Sequence, residues 1–158
     1  MASIGIPLGI FTTKFRANYT LPEPDKSGQI LLEEGLLVLN QTRELYTNEA
    51  LPLKKLGQLL WAMQGITHGS YRAAPSAGAT YPLELAVLPF FVPELSQNLF
   101  QYVPEGHQLE KIMAVPPSQD ELQAGFFPSS TTISKASAMI IISKVSERTT
   151  RIYGQRGE

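Results

Sequence analysis

The sequence predicts one mixed domain, α+β or α/β, in which helices alternate with separated strands. Three observations carry that expectation. The chain has 158 residues, 43% hydrophobic and 17% charged, which suits a single core and is too apolar for disorder. The segment Leu53–Gln64 places Leu53, Leu56, Leu59, Leu60 and Met63 on one face, with Lys54, Lys55 and Gln58 on the other, as an amphipathic helix requires. The segment Ala138–Val145, with consecutive isoleucines at 140–142, reads as a strand.

The remaining elements follow in order. Up to about Lys26 the chain reads as an irregular lead-in, because Pro22 and Pro24 bias it to extended backbone and block helix. A first helix is expected next, capped by Ser27, with Leu31, Leu32, Gly35, Leu36 and Leu39 as its stripe. A polar stretch, Asn40 to Asn48, separates it from the second helix. From Gly65 to Ala79 the residues become small and polar, and a loop this long inside a domain is usually functional or disordered. Leu83–Phe91 reads as a buried strand interrupted by Glu84 and Pro89. Asn98–Val103 and His107–Ile112 flank the turn Pro104-Glu105-Gly106, a hairpin pattern, and Ser118-Gln119-Asp120-Glu121 after Pro117 resembles a helix start.

Composition excludes several classes of function. Without cysteine there are no disulfides, Cys-ligated zinc, Fe–S clusters or thiol nucleophiles, and two histidines cannot build a multi-His metal centre alone. The formal net charge of −1 gives no global drive toward nucleic acid or acidic membranes. No apolar run approaches the ~20 residues of a membrane span, and the apolar start lacks the basic region of a signal peptide. A cytoplasmic protein with no metal, no nucleic-acid partner and no membrane is expected.

Charge is uneven. From Lys135 to the end the net charge is +3. If Ser146–Tyr153 is helical, Lys144, Arg148 and Arg151 project from one side, either as a solvated face or as a contact for phosphate. The common catalytic templates are absent: no nucleophile elbow, Walker loop, dinucleotide glycine motif or zinc-protease helix. Ser76 lies near His68 in sequence, yet nothing identifies the carboxylate or oxyanion hole of a triad. His68 reads as a loop residue satisfied by backbone groups, and His107, beside its turn, as solvent-exposed. The stretch Tyr71–Leu85 joins the long loop to the buried strand. Within it Pro75 sets a bend, Ser76 brings a hydroxyl and Gly78 permits a close approach to the backbone. Small residues at 73, 74, 77 and 79 leave room for a flat ligand, while an ordinary tight turn would have the same composition.

Three blocks in order carry a resemblance. They are Leu59-Leu60-Trp61-Ala62-Met63-Gln64-Gly65-Ile66-Thr67, Arg72-Ala73-Ala74-Pro75-Ser76-Ala77-Gly78-Ala79 and Tyr81-Pro82-Leu83-Glu84. Together with Glu147-Arg148-Thr149-Thr150 and Tyr153-Gly154-Gln155-Arg156-Gly157, they resemble the SagB-type dehydrogenases, FMN-dependent members of the nitroreductase superfamily. The resemblance runs from about Thr20 to the end. It implies an α+β, three-layer fold, a central mostly antiparallel sheet flanked by helices. Residues 1–19 then form the lead-in, and 20–158 the N-terminal portion of a nitroreductase-like domain cut short at its C-terminus.

The resemblance further implies FMN in a cleft at a subunit interface, NADH or NADPH as reductant, and a small-molecule or modified-peptide substrate. It implies a homodimer, or a heteromer with a related subunit. Pro75, Ser76, Ala77 and Gly78 match the segment that lies against the flavin, and Arg72 the basic residue before it. Where relatives carry an Arg-Arg-Ser-x-Arg phosphate motif, this chain has Asn40-Gln41-Thr42-Arg43, leaving Thr42 and Arg43 as the phosphate candidates. In relatives that oxidise peptide azolines a Lys-Tyr pair transfers a proton. Ile152-Tyr153 stands in its place, so Tyr153 is the catalytic candidate, and isoleucine cannot carry a proton. A non-catalytic or partner-dependent subunit, or a fragment, that keeps the scaffold without complete flavin chemistry is the alternative.

Overall fold

The structure, a computed structural model, describes residues 18–38, 49–126 and 132–157. Its elements are β1 (Asn18–Thr20), α1 (Leu32–Val38), α2 (Leu53–Gln64), β2 (Ile66–His68), β3 (Tyr71–Arg72), β4 (Leu83–Pro89), β5 (Leu99–Val103), β6 (Gln108–Met113), α3 (Gln119–Phe126), α4 (Thr132–Lys135), β7 (Ala138–Lys144) and α5 (Glu147–Tyr153). Five of the strands make one antiparallel sheet in the order β1-β6-β5-β4-β7, and β2 and β3 form a separate hairpin.

Alternation along the strands sorts the core into two clusters, one for each face of the sheet. Leu85 and Val87 of β4, Phe100 and Tyr102 of β5 and Leu109 of β6 pack under Leu56 and Leu60 of α2. Leu88 points the other way and meets Leu122 of α3 and Ile133 of α4. Helix, sheet and helices therefore form three layers, and the α+β class is the observed one. Phe100 is fully buried and meets Tyr19 edge-on, with centroids 5.4 Å apart; truncation of such a residue to alanine costs ~3–5 kcal/mol. β4 pairs with β7 over seven residues, from Leu83↔Lys144 to Pro89↔Ala138. Pro89, which cannot donate to a ladder, sits at its last rung, so the strand ends there rather than at Phe91.

The helix start read at Ser118 is a capping box. The Glu121 carboxylate accepts from Ser118 N–H and from its hydroxyl, both at 2.8 Å, and Ser118 Oγ accepts from Glu121 N–H at 3.2 Å. These bonds hold the Glu121 carboxyl below its ordinary pKa.

Three expectations change, and one element is added. The lead-in is not wholly irregular: Asn18–Thr20 pairs with β6, supported by Leu21 N–H donating to the His107 carbonyl at 3.0 Å. Its extended, proline-flanked backbone was compatible with a strand, but only the partner decided it. α1 starts at Leu32, so Ser27 is not its cap, and its leucines lie exposed, Leu37 by 81%. The spacing reported an apolar stripe and not what would cover it; Leu39 lies outside the described residues. The long loop contains the β2–β3 hairpin, closed by a turn with left-handed Gly69. α4, a single turn, was not foreseen because it has no period to read. Among the described residues, no helix is long and apolar enough to cross a membrane.

Candidate functional site

The loop before β4 is shaped by local hydrogen bonds. Trp61 Nε1 donates to the Ile66 carbonyl at 3.2 Å, tying the end of α2 to β2, and Ala73 N–H donates to the Gly65 carbonyl at 2.8 Å. A 3₁₀ turn then covers Ala77–Ala79, with Ala79 N–H on the Ser76 carbonyl at 3.1 Å. Inside that turn Gly78 is left-handed, at φ 58° and ψ 24°. Ala79 and Tyr81 are left-handed too, at φ 51° and 43°, where residues with a Cβ are uncommon. Ser76 Oγ accepts the Tyr81 N–H at 2.8 Å. A hydroxyl has one proton and two lone pairs, so Ser76 keeps its proton available for a ligand.

The turn meets α5. A Cβ added to Gly78 would collide with the phenol oxygen of Tyr153, so the bare backbone foreseen at Gly78 is approached by a side chain of the same molecule. Beside that contact opens a cleft of about 510 Å³, lined by Gly78, Ala79 and Thr80 of the turn and by Glu147, Arg148, Arg151 and Ile152 of α5. Its volume falls within the ~300–1,000 Å³ of small-molecule sites. Among the described residues no carboxylate pairs with Arg151, which leaves this cation available to the cleft.

Arg148 has another task. Its Nη1 donates to the Tyr81 carbonyl at 2.8 Å and its Nη2 pairs with Glu84, whose other oxygen accepts from Gln101 Nε2 at 2.9 Å. Val145 N–H adds a 2.8 Å bond to the Pro82 carbonyl. Arg148 is thus paired rather than left free for an anion, although part of its side chain stays in contact with solvent. It clamps α5 to the start of β4, a role hidden in sequence because its partner lies 64 residues away.

Arg72 faces a different space. Its guanidinium lies over the Tyr81 ring, 5.1 Å from the centroid, and reaches Glu105 at 3.6 Å. It borders a second cleft, of about 160 Å³, with Gln64, Glu84, Tyr102 and Arg148. Gln64 carries a buried Oε1 with no hydrogen-bond partner among the described residues. The structure therefore brings Gly78 and Tyr153 together and places Ser76 in the same turn, with Arg72 toward the smaller cleft. Pro75 and Ala77 are exposed on the turn. Thr42 and Arg43 lie outside the described residues.

Sequence reading missed the linking role of Tyr81, Glu84 and Arg148, taking Arg148 instead as a solvated or phosphate-binding residue. It also misplaced His107, which is half-buried. Its Nδ1 is 2.9 Å from the Tyr102 hydroxyl and its buried Nε2 has no hydrogen bond within the described residues. Burial holds the imidazole below the ordinary histidine pKa, against the opposing pull of the Pro22 carbonyl and Glu23. Burial likewise pushes the Tyr102 phenol up to about 12, with nearby Arg72 pulling down and Glu105 up, so this phenol stays protonated. Among the described residues, no group of three or more His, Asp or Glu side chains could hold a metal ion.

The antiparallel sheet between α2 and the pair α3–α4 is a nitroreductase-like α+β fold. It matches a crystal structure from Ralstonia eutropha JMP134, described as a "putative nitroreductase", with a TM-score of 0.68 and 26% identity over 89% of this chain and 61% of that one. A protein of Methanocaldococcus jannaschii named as a "putative nitroreductase" is 35% identical over 130 residues, 82% of this chain and 64% of the relative. The fold alone is shared with a chain of the E. coli microcin synthetase McbBCD complex, solved with truncated pro-MccB17 bound, at a TM-score of 0.58 and 20% identity over 99% of this chain and 62% of that chain. No family model matches. These likenesses support a nitroreductase-like relationship, and the chain spans less than two thirds of each of the three proteins.

Proposed function

We propose that this chain is the flavin-holding part of a cytoplasmic, FMN-dependent oxidoreductase of the SagB-type dehydrogenase kind. The observation that carries the reading is the bare, left-handed Gly78 beside an open cleft, with the Tyr153 phenol against it. The donor set fits a flat ligand with an anionic tail. Gly78 offers backbone without a side chain, the adjacent Ser76 hydroxyl keeps a proton to donate, and Arg151, beside Glu147 in the lining, has no salt-bridge partner among the described residues. FMN, when bound, supplies the exchange of a hydride or electrons between NADH or NADPH and the substrate.

The chain's own residues then bind, orient and hold protons. Pro75, Ser76, Ala77 and Gly78 would hold the flavin ring, on the resemblance of this turn to the family's flavin segment. Arg72 supplies positive charge from the neighbouring cleft, and Thr42 and Arg43 enter as phosphate contacts on the resemblance alone. Tyr153 Oη, against Gly78, would hold or move a proton there, while Ile152, which lines the cleft, can do neither. The substrate is a small molecule or a modified peptide, and the working unit a homodimer or a heteromer with a related subunit. Adding FMN to the purified protein and following flavin fluorescence tests the reading. Saturable uptake and a yellow protein are expected; a colourless protein indifferent to FMN refutes it.

A second reading, a partner-dependent subunit, is favoured by one observation: Ile152, which cannot carry a proton, stands where the resemblance places the lysine of a Lys-Tyr pair. Mixing with a full-length relative separates the two. Activity that appears only in a specific mixed complex supports the subunit, and reductase activity of the chain alone excludes it.

A further inference from the structure

Tyr81 joins the loop to β4 and touches three residues of the candidate site. Its N–H donates to Ser76 Oγ at 2.8 Å and its carbonyl accepts from Arg148 Nη1 at 2.8 Å. Its phenol oxygen accepts the Arg72 N–H at 3.2 Å, and its ring carries the Arg72 guanidinium 5.1 Å from the centroid. Its backbone stands at φ 43°, a left-handed conformation disfavoured for a bulky aromatic residue. Such a conformation persists only where the surroundings over-determine it, and it clusters at functional sites. The surroundings here are these four contacts, since Tyr81 belongs to neither core cluster.

We infer that Tyr81 is the positioning residue of the flavin loop, fixing Ser76 and Arg72 relative to α5; this rests on the flavin reading above. Two physical effects follow. Occupying one lone pair of Ser76 Oγ with the Tyr81 N–H restricts the hydroxyl proton to the remaining directions. The cation–π contact holds the guanidinium over the ring face and leaves its N–H groups for polar partners. Removing the Tyr81 side chain leaves the Arg72 guanidinium with Glu105 alone and does not open the core.

The test compares Tyr81→Phe, which keeps the ring and loses the phenol oxygen, with Tyr81→Leu, which loses both. FMN affinity is read by fluorescence quenching, the environment of bound flavin by its visible circular dichroism, and the Arg72 amide by hydrogen exchange. Tyr81→Phe is expected to weaken FMN roughly three- to tenfold and speed exchange of the Arg72 amide, with the fold retained. Tyr81→Leu weakens FMN further and alters the flavin dichroism. Wild-type affinity and dichroism in the folded fraction of Tyr81→Phe, with an unchanged Arg72 amide, overturn the inference and leave the flavin reading standing. Failure of the wild-type protein to take up FMN overturns both.

Discussion

The phenol oxygen of Tyr153 fills the place where a Cβ of residue 78 would stand, so the turn before β4 and the helix after β7 are fitted to each other through the absence of one side chain. Two effects therefore oppose a substitution at Gly78: its left-handed backbone and the space that Tyr153 takes. Gly78→Ala is expected to cost ~1–2 kcal/mol from the backbone alone, plus the displacement of Tyr153. In a Tyr153→Phe background the displacement cost vanishes, because the oxygen that collides is gone. Chemical denaturation of the four proteins measures this coupling, and strict additivity would show that the two residues do not meet.

The clamp at Arg148 makes a second expectation. Arg148→Met removes the donor on the Tyr81 carbonyl and leaves Glu84 with Gln101 alone. The pair is about one third exposed, so solvent screens it, and a loss of roughly 1–3 kcal/mol is expected. Protease sensitivity should rise around 146–157 before the sheet is affected. A variant that unfolds like wild type and is cut no faster would show that α5 is held by other contacts.

His107 predicts the pH dependence. Its folded pKa lies below the ordinary 6.5 because burial disfavours the charged ring. The unfolded chain therefore takes up this proton first as the pH drops. The contribution is complete above about pH 6.5, shrinks as the pH falls toward the lower folded value, and levels off below it. Thermal midpoints between pH 7.5 and 5.5 should decline in wild type and flatten in His107→Asn, since asparagine tolerates the left-handed φ of 47° at this position. Parallel curves for the two proteins would assign the decline elsewhere.

The flavin reading separates the two clefts by charge. Arg151→Ala removes a cation from the larger cleft and Arg72→Ala one from the smaller. A charge-assisted contact of ~1.5–3 kcal/mol corresponds to roughly ten- to hundredfold in affinity. Arg151→Ala is expected to weaken FMN within that range and leave riboflavin, which lacks the phosphate, nearly unchanged. Ser76→Ala should weaken both by about 0.5–1.5 kcal/mol, as loss of a neutral hydrogen bond. If Arg72→Ala alone shows the phosphate-specific loss, the tail lies in the smaller cleft.

Local chemistry made much of this molecule legible from its residues. The helical spacing of Leu53–Gln64, the isoleucines of Ala138–Lys144, the turn at Pro104–Gly106 and the capping pair Ser118 and Glu121 act within a few residues, so sequence alone determined α2, β7, the β5–β6 hairpin and the start of α3. The quoted blocks also pointed to the three-layer fold and to the turn around Gly78. What sequence could not contain was partnership across distance. That Asn18–Thr20 is a strand depends on β6, that Arg148 is a clamp depends on Glu84 and Tyr81, and that His107 is half-buried depends on packing beside α2 and Tyr102. A stripe or a charge records what a residue can do. Only the tertiary structure decides what it meets, because hydrogen bonds and packing act over a few ångströms in space whatever their separation along the chain.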